Sequence, residues 1–217
     1  MTKSQGLFGT ITFSPDGRWL ATEDVDAILL WDMMDLEKEP VALKCEEGFS
    51  SFAFSPDNKW AAIGCYDKAV HLWSMKSLSS EPILLRGHES SIYELTFSPD
   101  SQWLASGNDD SNTAENLNSL VCLWDMNDPS ATPVILRLQH VIDDELSIVF
   151  SPDSQSVITG NNPIRIWKLG HESLLESACH IVGRNFTRAE WILYFPAEED
   201  RKTCEQWPLE PEVTATP

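Results

Sequence analysis

The sequence predicts an all-β fold assembled from about four repeated units, each a small antiparallel sheet. Three observations carry this. The tetrapeptide Phe-Ser-Pro-Asp occurs four times, opening at Phe13, Phe54, Phe97 and Phe150, so successive copies lie 41, 43 and 53 residues apart. Each copy is followed by an apolar residue and a tryptophan, at Leu30-Trp31, Leu72-Trp73, Leu123-Trp124 and Ile166-Trp167. Between these landmarks the apolar residues alternate with period two. A period in the low forties built from short strands is the signature of a β-propeller blade.

Within a repeat the elements follow one another at fixed offsets. An apolar residue stands two positions before each phenylalanine (Ile11, Phe52, Leu95, Ile148), which marks a first strand. Ser-Pro-Asp then makes a turn: proline presets φ, aspartate bonds its own downstream backbone, and Gly17 or Asn58 tolerates positive φ. A second strand opens at Trp19, Trp60, Trp103 or, in the last repeat, near Ser156. The third strand alternates: Ile28/Leu30, Val70/Leu72, Val121/Leu123 and Ile164/Ile166 face one way, while Leu29/Trp31, His71/Trp73, Cys122/Trp124 and Arg165/Trp167 face the other. Nine residues after the tryptophan, Pro40, Pro82 and Pro133 open a short fourth strand, a place where a missing N–H is tolerated.

The Phe-Ser-Pro-Asp turn with its Trp-Leu-Ala second strand, the closing Leu-Trp-Asp and the pair Gly87-His88 resemble WD-repeat β-propellers over roughly residues 8–169. The resemblance implies repeats at about 7–47, 48–90, 91–143 and 144–169. In that family a histidine, a serine or threonine of strand two, an aspartate of the next turn and the strand-three tryptophan form a buried hydrogen-bond network. It implies this role for His88, Ser106, Asp110 (or its neighbour Asp109) and Trp124 in repeat 3. Repeat 2 keeps Asp67 and Trp73, but Cys45-Glu46 replaces Gly-His.

The first repeat has no preceding fourth strand, and the pattern stops after Trp167. An incomplete ring leaves apolar faces at its ends, so the chain reads as the C-terminal part of a larger propeller or as a product that associates with itself; the other reading is a self-contained four-blade ring. Residues 170–207 read as a cap of two short helices, over Glu172–Val182 and from Thr187 to Phe195, stopped at Pro196. This tail resembles the one that closes bacterial, especially cyanobacterial, multi-domain WD-repeat proteins. Residues 208–217 read as a disordered tail.

Charge and chemistry narrow the function. A net charge of −19 argues against nucleic acid and against an anionic membrane surface, both of which require a basic patch. No signal peptide and no apolar run of spanning length is seen, so a cytoplasmic protein is expected. No phosphate-binding glycine loop, paired-histidine zinc spacing or nucleophile–base arrangement occurs, so no enzyme, cofactor or metal is expected. Cys45, Cys65, Cys122, Cys179 and Cys204 show no metal or redox spacing and read as reduced, buried thiols.

In WD-repeat propellers the loops from strand four to strand one and from strand two to strand three share one rim. Here they carry Glu46, Glu47, Glu89, Asp143, Asp144 and Glu145 in the first class and Asp109 and Glu115 among others in the second, with an insertion at 111–119. This acidic rim is a candidate surface for a protein or peptide, a basic one by charge complementarity; the competing reading is solubilising charge. The expected function is a non-enzymatic protein–protein interaction scaffold. The alternatives are a sensor segment of a signalling NTPase- or protease-type protein, or a non-functional remnant of one.

Overall fold

In the computed structural model, residues 11–108, 120–138, 146–160 and 164–169 are described, together with Asn185, Thr187 and Lys202. These residues form fifteen strands in four antiparallel sheets. The first sheet is β1 (Ile11–Phe13), β2 (Trp19–Glu23), β3 (Ala27–Asp32) and β4 (Val41–Lys44). The second is β5 (Phe49–Phe54), β6 (Trp60–Cys65), β7 (Ala69–Ser74) and β8 (Ile83–Arg86). The third is β9 (Ile92–Phe97), β10 (Trp103–Asn108), β11 (Leu120–Asp125) and β12 (Val134–Arg137), and the fourth is β13 (Ser147–Phe150), β14 (Ser156–Gly160) and β15 (Arg165–Lys168). Each is a simple meander in chain order.

The Phe-Ser-Pro-Asp turns show why the repeat needs those residues. Each serine hydroxyl donates to the aspartate two residues on, at 2.6 Å for Ser14–Asp16 and 2.7 Å for Ser55–Asp57. The same oxygen accepts the backbone N–H that opens the next strand, at 2.9 Å from Trp19, Trp60, Trp103 and Ser156. The fourth turn residue has positive φ in every copy: Gly17 at 70°, Asn58 at 58°, Ser101 at 61° and Ser154 at 59°. In the last three copies its side chain links consecutive turns. The N–H of Asp16 donates to Asn58 Oδ1 at 3.0 Å, that of Asp57 to Ser101 Oγ at 3.0 Å, and that of Asp100 to Ser154 Oγ at 3.1 Å.

The core lies between successive sheets. Ala21, Ile28, Leu30 and Leu43 of the first sheet cluster with Ala61, Ile63, Cys65 and Trp73 of the second. The other face of the second sheet, with Val70, Leu72 and Leu85, clusters with Ile92, Leu95, Leu104 and Trp124 of the third. β5 packs beside β9 and β9 beside β13. Third-strand alternation is visible in the first sheet, where Ile28 and Leu30 are fully buried and Leu29 is not. β11 is buried on both faces: Cys122 and Trp124 lie on the face that packs against the second sheet, and Val121 and Leu123 on the opposite face are buried as well. The end strands are different: Ile11 and Phe13 of β1, and Ile164 and Ile166 beside and within β15, are more than half exposed.

Two expectations change. The second strands run on past the short segments that open at Trp60 and Trp103, β6 to Cys65 and β10 to Asn108, which carries polar or soft residues into the sheet. Cys45 and Cys65 are not separate thiols but are joined as a disulfide, with Cα atoms 5.9 Å apart. The crossing from β4 to β5 returns over the end of β6, and a separation of 20 residues in sequence does not reveal that. The expected helices over 172–182 and 187–195 lie, apart from Thr187, outside the described residues, as do residues 7–10 and the expected tail 208–217. Contacts divide the chain into residues 1–167 and 168–217. Of the second unit, Lys168, Leu169, Asn185, Thr187 and Lys202 are described, and Asn185 is buried.

Candidate functional site

The loops entering β5 and β9 and the turn after β6 meet at one rim. Glu46 and Glu47 are exposed in the first of these loops and Glu89 in the second. Tyr66, in the β6–β7 turn, ties them together: its N–H donates to the Gly48 carbonyl at 3.0 Å, and its own carbonyl accepts from Ser91 Oγ at 3.4 Å. Gly48 takes φ +92° and lies against the Tyr66 ring, where an added Cβ would come within 3.1 Å. That glycine is therefore needed for both backbone conformation and close approach. The rings of Tyr66 and Tyr93 stand 6.1 Å apart and both are substantially exposed. Burial, with Tyr93 and Glu23 nearby, raises the Tyr66 hydroxyl above its ordinary pKa. Asp109, Asp110, Glu115, Asp143, Asp144 and Glu145 lie outside the described residues, so the described rim is three glutamates and two tyrosines wide, with Glu23 beside them.

Beneath this rim, the third sheet holds a buried polar string. Trp124 Nε1–H donates to Ser106 Oγ at 2.8 Å, and Ser106 Oγ lies 2.7 Å from His88 Nε2. His88 Nδ1 faces Asn108 Oδ1 at 3.4 Å. The same Asn108 oxygen accepts the Leu120 N–H at 2.7 Å, and its amide donates to Ser90. Because Asn108 Oδ1 can only accept, the imidazole proton sits on Nδ1 and Nε2 accepts from Ser106. Burial lowers the His88 pKa to about 4, with the Asn108 bond opposing only in part. It also pushes the neighbouring Cys122 thiol up to about 12. A Ser–His pair at 2.7 Å has the form of a nucleophile and base. Here Ser106 is fully buried, and its oxygen already receives the Trp124 N–H, so it holds strands together.

The structure thus brings His88, Ser106 and Trp124 together and supplies Asn108 as the fourth member. Asp110, to which the resemblance gives the aspartate role, lies outside the described residues. Asn108 stands two residues after Ser106 on the same face of β10, and that alternation of polar residues is the signal that could have found it. In the second sheet Asp67 and Trp73 do not join such a string. Asp67 Oδ2 pairs with His71 Nε2 at 2.9 Å, and the His71 and Trp73 rings lie 5.8 Å apart. Ile63 occupies the place of Ser106 and has no oxygen to offer. In the first and fourth sheets the indole still finds a threonine: Trp31 to Thr22 at 2.9 Å and Trp167 to Thr159 at 3.1 Å.

Comparison with known proteins agrees with this geometry. Residues 42–74 and 79–125 match the family model described as WD domain, G-beta repeat, which supports the WD-repeat family for the second and third sheets. The Denticleless protein homolog of Danio rerio is 24% identical over 189 residues, covering 78% of this chain and 28% of that protein. The Denticleless protein homolog of Gallus gallus is 27% identical over 164 residues, covering 71% and 20%. The Protein LST8 homolog of Drosophila melanogaster is 27% identical over 175 residues, covering 77% and 53%. The chain spans between a fifth and about half of the length of these relatives.

Proposed function

We infer that the chain is a non-enzymatic protein-interaction scaffold whose acidic, aromatic rim docks a basic peptide or a basic protein surface. WD repeats support the first part, since rigid sheets of this kind hold variable loops in fixed positions. The observation that carries the second is the meeting of Glu46, Glu47 and Glu89 with the exposed Tyr66–Tyr93 pair. Carboxylates attract a lysine or arginine from solution, and tyrosine faces receive it by cation–π contact. Interlocked loops at Gly48, Tyr66 and Ser91 keep the ordering entropy of binding low.

The test is fluorescence anisotropy with a set of lysine- and arginine-rich peptides and an acidic control set. Binding should weaken with salt and fall about tenfold or more in a Glu46→Lys, Glu47→Lys, Glu89→Lys triple variant, each exposed charge contributing roughly 0.2–1 kcal/mol. Equal binding by the triple variant would refute the rim. A second element concerns the ends. Exposed Ile11 and Phe13, together with Ile164 and Ile166, favour association of copies through these faces. Light scattering on the purified chain should then give a defined oligomer, and a monomer would remove this element.

A further inference from the structure

The second sheet contains a cluster that the scaffold reading leaves unused. The sulfurs of Cys45 and Cys65 and a ring nitrogen of His71 all lie within 4.8 Å of one another. The β6–β7 register explains two of them: Ile63 faces His71 and Gly64 faces Val70, so Cys65 and His71 are diagonal neighbours on one face. Cys45 reaches the same face from the β4–β5 crossing. Both cysteines are essentially inaccessible, while the His71 side chain is 13% exposed and Asp67, beside it, 26%. A small ion would enter from the Asp67 side.

His71 is held in an unusual way. Its Nε2 pairs with Asp67 Oδ2 at 2.9 Å, whereas its Nδ1 is buried with no hydrogen-bond partner. A carboxylate on Nε2 fixes the proton there and leaves Nδ1 as a bare lone pair. Leaving such an atom buried and unused costs about 1–3 kcal/mol. A carboxylate on one imidazole nitrogen with a metal on the other is the recurrent way in which metal-ligating histidines are oriented. Two sulfurs and one imidazole are soft and borderline donors, suited to zinc and unsuited to magnesium or calcium.

We propose that, with the Cys45–Cys65 bond reduced, this cluster binds one zinc ion through the two thiolates and His71 Nδ1. Asp67 orients the imidazole, and the fourth position is left to water. In a tetrahedral zinc site the two sulfurs stand about 3.8 Å apart, a separation that Cα atoms 5.9 Å apart can serve by side-chain rotation. The disulfide and the metal site are therefore alternative states of one pair of residues. A dithiol reductant supplies two electrons: the Cys45–Cys65 bond breaks, the dithiol closes to its own disulfide, and its two protons pass to the cysteine sulfurs. Zinc then displaces both protons to solvent.

The experiment uses the full chain, oxidised or reduced with a phosphine, titrated calorimetrically with zinc and, in parallel, followed by absorption with cobalt(II). The reduced chain should bind one metal ion, give a thiolate-to-cobalt charge-transfer band and release about two protons, read from two buffers of different ionisation enthalpy. The oxidised chain should bind none at this site. Asp67→Asn should weaken zinc about tenfold, and His71→Ala and Cys65→Ser should weaken it more and abolish the charge-transfer band. If reduction unfolds the chain, zinc should restore the near-ultraviolet circular dichroism of the wild type and not that of Cys65→Ser. The proposal is overturned by a reduced chain that neither binds nor refolds with zinc, by equal affinity in the variants, or by binding that oxidation leaves unchanged.

Discussion

The second and third sheets place different chemistry at corresponding points. Cys45 lies nine residues before Phe54, as His88 lies nine before Phe97. Cys65 lies five residues after Trp60, as Asn108 lies five after Trp103, and His71 stands two before Trp73, as Cys122 stands two before Trp124. In the third sheet His88 and Asn108, with Ser106 and Trp124, form a string of neutral hydrogen bonds, and Cys122 lies beside it. In the second, Ile63 removes the hydroxyl, and the remaining points become two sulfurs and an imidazole. The pocket where an incoming loop meets the end of the second strand is set by the backbone. What fills it can be a structural lock or a reactive set. A fully satisfied polar string rigidifies a sheet, whereas a set of soft ligands answers to redox state.

The largest expected effect breaks the lock. Ser106→Ala strips the Trp124 N–H and His88 Nε2 of their shared partner inside a sealed core. Two buried orphans at 1–3 kcal/mol each give a loss of about 4 kcal/mol, measured by urea denaturation. The same substitution in spirit at the second sheet, Cys45→Ser under oxidising conditions, should cost about 3 kcal/mol, the chain-entropy value for a closed loop of this length. The sheets would then be told apart by reductant: it should lower the wild-type midpoint in the absence of zinc and leave the Ser106→Ala penalty unchanged.

A comparable effect follows from pH. Unfolded, His88 takes up a proton near 6.5; folded, it resists until about 4. Between these values the unfolded chain binds more protons, so stability falls as pH drops from 6.5 to 4. At 1.36 kcal/mol per unit, the total for this residue is about 3 kcal/mol. His88→Gln, which can still bond to Ser106, should flatten the stability profile in that window. Equal slopes for variant and wild type would show that His88 is not the neutral link of the string.

How much of this was legible in the sequence differs between the two sheets. The strands and turns could be read because Phe-Ser-Pro-Asp marks a turn with a mechanism and the third strands alternate cleanly. His88, Ser106 and Trp124 could be read through resemblance. Asn108 was not legible, because the tryptophan that opens the second strand does not say how far that strand runs. The Cys45, Cys65 and His71 cluster was missed because metal motifs are sought at short spacings, whereas a sheet joins residues that are distant in sequence. Counting back from the phenylalanine puts Cys45, and not Glu46, on His88, which corrects the alignment of Cys45-Glu46 with Gly87-His88, and counting on from the tryptophan puts Cys65 on Asn108.

The smallest effect lies where the two sheets are alike. Ser101 and Ser154 each hold positive φ while accepting the N–H of an aspartate in the preceding turn. Two terms oppose each other there. A side chain in left-handed conformation costs about 1 kcal/mol, and the hydrogen bond returns about 1 kcal/mol. Alanine keeps the strain and loses the bond, so Ser101→Ala and Ser154→Ala should each destabilise by about 1 kcal/mol. Glycine loses the bond and the strain together, so Ser101→Gly should lie near wild type despite its larger unfolded-state entropy. A series in which glycine is no better than alanine at both turns would mean that the link between turns, rather than the backbone of each turn, sets the choice of serine.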